Sequence, residues 1–178
     1  MKSNALSFAD IRRKALLTAL MVSVAVILPQ ICHLLGGQLG LGSALGEMLL
    51  PMHLPVMMAG MLWGPWVGLF CGLLSPIASF ALTGMPGVAL LPFMTVELAV
   101  YGLSAGLLRR TNLPSLVQVV IAQVAGRVAR AAVLVVAIYG FGFTRLPISI
   151  VWTSIAAGIA GIAIQWAVLP WCGREVKR

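Results

Sequence analysis

The chain alternates long apolar runs with brief punctuation by glycine, proline and charge. An α-helix needs about 20 mostly apolar residues to cross the hydrocarbon of a bilayer. Measured this way, the pattern predicts six membrane helices, over 11–35, 48–63, 66–83, 88–108, 113–139 and 146–171. Pro29 should bend or end the regular part of the first, because proline lacks an amide donor. The glycine-rich stretch 36–46 reads as an interfacial loop able to fold back as a lid, since irregular backbone is not satisfied in lipid. The second helix opens with Pro51 and Pro55, so part of 47–54 should be unwound at the membrane surface. Gly64-Pro65 marks a tight turn between Trp63 and Trp66, tryptophans that fit an interfacial belt. In the third helix Gly68, Gly72, Ser75, Ala78 and Ser79 place small residues at spacings of three and four, which permits close helix contact. The fold expected is an all-α integral membrane protein, one transmembrane bundle over 1–178 with no second domain.

Composition agrees with the pattern. Of 178 residues, 61% are hydrophobic and 9% charged, with a mean hydropathy of +1.05, far from a soluble domain. A net charge of +8 would point to nucleic acid in a soluble protein, but here the cations flank the apolar runs, so topology explains them and no nucleic-acid partner is expected. Six helices put both termini on one side. Making that side cytoplasmic gathers Lys2, Arg12, Arg13, Lys14, Arg109, Arg110, Arg174, Lys177 and Arg178 there, nine of the twelve basic residues. The apolar stretch after the basic start is too long for a signal peptide and reads as a retained helix in a bacterial plasma membrane. Cys32, Cys71 and Cys172 show no metal-ligand or redox spacing.

Topology leaves Glu97, Arg127 and Arg130 unexplained, and charge inside a membrane usually marks function. The fourth and fifth helices are joined by a short basic turn and must be antiparallel neighbours. At the α-helical rise, Glu97 and Arg127 lie about 21 and about 23 Å from that turn, so they can pair. Arg130 lies one turn further out with no obvious acidic partner in either helix, a vacancy an anionic ligand could fill. Gln123 shares a helical face with both arginines, as Tyr101 does with Glu97. His53, between Pro51 and Pro55 near the outer mouth, is a further candidate contact, and His33 a weaker one. The competing structural reading makes Glu97 and Arg127 an architectural ion pair. Catalysis is not expected, because paired carboxylates, HExxH, GxSxG and a P-loop are all missing, and no cofactor or metal site is predicted.

The run from Leu50-Pro51-Met52-His53-Leu54-Pro55 to Gly60, then Gly64-Pro65, Leu74-Ser75-Pro76 and Leu82-Thr83-Gly84-Met85-Pro86, is similar to the vitamin-uptake S components of energy-coupling factor (ECF) transporters. Val96-Glu97-Leu98-Ala99-Val100-Tyr101-Gly102 and Gly126-Arg127 continue the likeness over nearly the whole chain. It implies a membrane subunit that captures a micronutrient at the outer face and works with a transmembrane scaffold and two ATPase subunits. It implies that Ala15 and Ala19, a small-xxx-small pair in the first helix, dock on that scaffold. It also implies a pocket in the outer half of the bundle, capped by the loops over 36–48 and 83–88. Glu97 and Arg127 then count as scaffold features, Arg130 as the residue of substrate choice, and Tyr139 or Trp152 as rings against the apolar part of the ligand. Pantothenate-like acids fit the pocket charge, while cobalamin, pyridoxine-type compounds and queuosine precursors stay open. The rivals are a structural membrane protein of an envelope complex, in which the buried charges only staple helices, and a self-sufficient secondary carrier, for which no paired repeat is visible.

Overall fold

Hydrocarbon offers the backbone no water to bond, and the chain meets that constraint with helices. In the computed structural model, which describes residues 8–42 and 44–177, they are α1 (Phe8–Gln38), α2 (Ala44–Leu49), α3 (His53–Trp63), α4 (Pro65–Thr83), α5 (Leu91–Leu108), α6 (Ser115–Val135), α7 (Ile150–Ala157) and α8 (Ile159–Lys177). A π-helical turn, Val136–Gly140, extends α6, and no strand occurs among the described residues. Five stretches are long and apolar enough to cross a membrane: Phe8–Gln38, Ala44–Trp63, Pro65–Thr83, Leu91–Leu108 and Ser115–Gly140. The pair α7 and α8, bent by 58° at its junction, makes a sixth if counted as one span.

The elements depart from the expected ones in three places. First, α1 runs through Pro29 to Gln38, so only 39–42 of the described residues remain outside a helix before α2. The Gly36 carbonyl accepts the amides of Leu41 and Gly42 at 2.8 and 3.1 Å while Gly40, at φ +73°, turns the chain, which closes the helix later than composition alone implies. Second, the second span breaks at 50–52, inside the stretch expected to unwind, with Leu50 at a positive φ of 48° beside Pro51. Third, the last helix is interrupted at Gly158. The Leu50 side chain and the Leu49 carbonyl press on Gly158 and Gly161, so the last span bends where the broken second span meets it.

Packing is tightest where α4 meets α5. Gly68 and Gly102 face each other so closely that a Cβ on either would meet the other's backbone, and Gly60 abuts the same Gly102 carbonyl. Small residues allow this approach, which gains dispersion contacts that lipid cannot supply. Met57, Leu98, Tyr101, Val119 and Leu169 fill the core around it. Large apolar side chains such as Leu20, Ile27, Phe70 and Ile77 point outward, as a lipid-facing surface requires.

Contacts also sort the two ends of the bundle. At one end Ile11 and Lys14 of α1 border the same hollow as Trp66 of α4, Arg109 lies against Gly64, and Gly173 of α8 meets Met61 and Ser115. Arg12, Arg13 and Arg110 belong to this end. Lys2 and Arg178, counted above among the basic flanks, lie outside the described residues, as do the side chains of Arg174 and Lys177. The opposite end carries the α1–α2 connection, the 50–52 break and the segments 84–90 and 141–149.

Gly102→Leu is expected to drive a side chain into the Gly68 backbone and to destabilise the protein by about 1–3 kcal/mol or more. The effect should appear as a lower melting temperature and loss of a monodisperse gel-filtration peak in detergent. Gly37→Ala, with nothing within 4 Å of the added Cβ, should leave both unchanged.

Candidate functional site

The site begins with a carboxylate that has no exposure at all. Glu97 sits on α5 at 0% relative accessibility, facing α6. The two helices approach closely here because Gly126 of α6 offers only a hydrogen to the Tyr101 ring, which occupies the place a Cβ would need. Removing a carboxylate from water costs several kcal/mol unless it is paired and hydrogen-bonded, and α6 supplies two guanidiniums three residues apart. Arg130 NH1 donates to Glu97 Oε2 at 2.9 Å, the shortest contact of the cluster. Arg127 Nε lies 3.5 Å from Oε1, and its NH1 reaches Ser154 Oγ of α7 at 3.4 Å, both longer and weaker. Tyr101 donates its hydroxyl to Oε1 at 3.1 Å. His53 Nε2 stands 3.9 Å from Oε1, beyond hydrogen-bond reach, with its ring tilted against Tyr101 at 5.3 Å.

The pairing differs from the expected one. Arg130 is not left without an acid; it is the primary partner of Glu97, and Arg127 is the looser one. Even so, two guanidiniums face one carboxylate. Arg130 also keeps a buried Nε–H with no hydrogen-bond partner.

Above this cluster lies a cavity of about 530 Å³ at the end of the bundle that carries the 50–52 break. Pro29, Gln30 and His33 of α1, Glu47 of α2, Met52 and His53, Ser79 of α4, the segment 85–87, Leu90, and Met94 of α5 border it. Gly46, Leu50 and Pro51, Arg130 of α6, and Ile150, Thr153, Ser154 and Ala157 of α7 complete the wall. Of the residues singled out from sequence, the structure therefore brings His33, His53 and Arg130 to the cavity, with Glu97, Tyr101 and Arg127 just behind them. Gln123 is elsewhere. Its amide donates to Gln165 Oε1 at 2.8 Å and accepts the Trp166 indole N–H at 2.7 Å, tying α6 to α8. Tyr139 and Trp152 are 75% and 73% exposed on the outer surface and do not border the cavity, so the ring-packing role expected of them does not match their placement. Among the described residues no group of three His, Cys, Asp or Glu side chains converges as a metal site.

A second hollow, of about 580 Å³, opens at the other end between α1 and α4. Lys14, Ala15, Thr18 and Ala19 form one bank and Trp66, Val67, Phe70 and Leu74 the other. Ala15 and Ala19 are exposed in its floor, and Trp66, Phe70 and Leu74 present large apolar surfaces beside them.

A family model described as the substrate-specific component of ECF transporters matches residues 13–172. The chain belongs to this family. No curated protein and no solved structure gives a significant match. As an S component it is a membrane subunit of a transporter, from a family of substrate-specific components and not of enzymes. For an S component, the cavity residues that sequence reasoning missed are the informative ones: Gln30, Ser79, Thr153 and Ser154. Their only signal in the sequence was polarity inside apolar runs, and Thr153-Ser154, an adjacent hydroxyl pair in the last span, was the clearest case.

Glu97→Gln is expected to leave two guanidiniums without a counter-charge and to cost this S component about 3–5 kcal/mol. Gln123→Leu, which strands Gln165 and the Trp166 N–H, should cost about 1–3 kcal/mol without touching the cavity. Thermal unfolding in detergent measures both. A Glu97→Gln protein as stable as the parent would remove the carboxylate from its central place.

Proposed function

We propose that this S component captures a small anionic micronutrient from outside the cell and passes it inward with a membrane scaffold and two ATPase subunits. The observation that carries the reading is Arg130. Its NH1 is fixed by Glu97, so the guanidinium is held as a positive charge at the cavity wall, where a carboxylate or phosphate oxygen would meet it. Glu47 borders the same cavity but is exposed, where solvent weakens its opposing charge. A cavity of 530 Å³ is within the range of small-molecule sites. Cobalamin is far larger than such a space, which favours the smaller acids among the candidates named above.

Orientation follows from charge. Arg12, Arg13, Lys14, Arg109 and Arg110 cluster at the end away from the cavity, and the bias of basic residues to the cytoplasmic face turns the cavity outward in a bacterial plasma membrane. The groove between α1 and α4, with Ala15 and Ala19 in its floor, then lies toward the cytoplasm. It offers a scaffold helix close approach over small residues flanked by exposed apolar ones. The rival structural role gains support from the Glu97 ion pairs, which would staple α5 to α6 with or without a ligand, but it gives no account of a hollow lined by Arg130, Gln30, Ser79 and Thr153.

Mass spectrometry of the purified protein should find a stoichiometric acidic small molecule. Arg130→Lys, which keeps the charge on Glu97, should weaken its binding about 10- to 100-fold, the worth of one or two charge-assisted hydrogen bonds; unchanged affinity would refute the anion contact. Separately, Ala15→Leu with Ala19→Leu should abolish co-purification of the two ATPase subunits while ligand content stays the same. Retained assembly would show that the groove is not the docking surface.

A further inference from the structure

The trough between α1 and α4 is bordered on α1 by positions 11, 14, 15, 18 and 19, which share one helical face, and on α4 by 66, 67, 70 and 74. Both helices begin at the basic end of the bundle, so the trough runs inward from that membrane surface for about 12 Å at the helical rise. Open to lipid, it cannot stay empty without forgoing the dispersion contacts of its walls. Spread over that length, 580 Å³ gives a channel of about 50 Å² in section, whereas a helix with its side chains covers about 100 Å². A helix can ride over such a trough; an acyl chain can fill it.

Six of the nine lining residues are purely apolar, and the other three gather toward the membrane surface. Thr18 donates its hydroxyl back to the Lys14 carbonyl at 2.9 Å. Trp66, largely exposed, stands at the start of α4, where an indole suits the headgroup layer. Lys14 is half-buried at the mouth, while its neighbours Arg12 and Arg13 are exposed and do not border the trough. Among the described residues no ion pair engages its ammonium, not even with Asp10 one turn earlier. A lysine so placed keeps its stem on apolar surface and its charge at headgroup level.

We infer that the trough is a lipid site: it holds an acyl chain of an anionic inner-leaflet glycerophospholipid whose phosphate meets Lys14. With Arg12, Arg13 and Lys14 against Asp10, the mouth repels the cationic headgroup of a zwitterionic lipid and suits a phosphatidylglycerol. Only the leaflet rests on the orientation argued above from charge. The site does not depend on a scaffold docking there, although a helix seated over Ala15 and Ala19 would have to displace the chain.

Native mass spectrometry of the full-length protein in detergent, with dioleoylphosphatidylglycerol or dioleoylphosphatidylcholine added, tests this. One phosphatidylglycerol should be retained at least fivefold more tightly than phosphatidylcholine, the worth of one basic residue beside an anionic lipid. Lys14→Gln should abolish that preference, and Arg12→Gln with Arg13→Gln should keep most of it. Equal retention of the two lipids, no retained lipid, or a loss from the Arg12 and Arg13 variant as large as that from Lys14→Gln overturns the inference, the last because it marks diffuse attraction and not a site. Ala15→Leu with Ala19→Leu fills the floor and should reduce bound lipid of either kind; unchanged lipid places it elsewhere and equally overturns the inference. If that variant loses lipid yet still co-purifies the ATPase subunits, the lipid site stands and the docking reading alone fails.

Discussion

Burying the carboxylate of Glu97 is the constraint on which the rest of the site depends. With the carboxylate fully buried, its charge must be met by hydrogen-bond donors, and a close α5–α6 contact brings those of α6 near enough. Gly126 makes the contact close, Tyr101 fills the space beside it, and Arg127 and Arg130 lie on the face that results. Because one guanidinium suffices for one carboxylate, the two arginines together leave positive charge beside the cavity that Arg130 borders. The ion pair thus holds two helices together and at the same time fixes an arginine side chain, otherwise long and mobile, at the wall. Its rotamer entropy is lost on folding, so a ligand that contacts it does not have to supply that ordering.

Depth was legible in the sequence and direction was not. Counting residues from the Arg109 turn placed Glu97, Arg127 and Arg130 at comparable heights, and the structure brings all three together. The order of pairing was missed because a helical side chain leans toward the N-terminus of its own helix and covers the turn before its Cα. Arg130 therefore reaches back to the level of Glu97 although its backbone lies a turn beyond. Gln123 was misplaced for a different reason: its partners Gln165 and Trp166 lie more than forty residues away on α8, and helical spacing within one segment says nothing about a third helix. Tyr139 and Trp152 were chosen by residue type alone, and their azimuth is set by the π-helical turn and the 150–157 segment, neither of which periodicity reveals.

The apolar spans, five whole and a sixth where α7 and α8 count as one, followed from hydropathy because hydrocarbon thickness imposes them, whereas the bend in the last depends on contacts between spans. The second span stops at Leu50 and the sixth at Gly158, and these two breaks touch. Pro51 and Pro55 marked the first break in the sequence, but nothing marked Gly158, and proline alone is no guide, since prolines at 29, 76 and 170 sit inside continuous helices. Irregular backbone is tolerated at membrane depth only where protein or a cavity covers it. The paired breaks border the cavity for that reason: each supplies cover for the other's unwound backbone, and the hollow between them is where straight helices would otherwise have packed solid.

Stability is distributed unevenly as a result. Helices α3, α4 and α5 meet backbone to backbone at Gly60, Gly68 and Gly102, while α7 contains no buried residue and is held to its neighbours at few points, the long Arg127–Ser154 contact among them. Elements with little buried surface open at lower free energy than the core they lean on. Only α1 and α4 border both hollows, α1 with Ala15 and Ala19 at one end and Gln30 and His33 at the other, α4 with Phe70 and Ser79. A packed path between two sites becomes coupling only where some element has two arrangements. Continuous through Pro29 and held against both α3 and α4, α1 is a poor candidate for that element; the freedom lies across the cavity, in α7, which carries Thr153 and the Ser154 that meets Arg127.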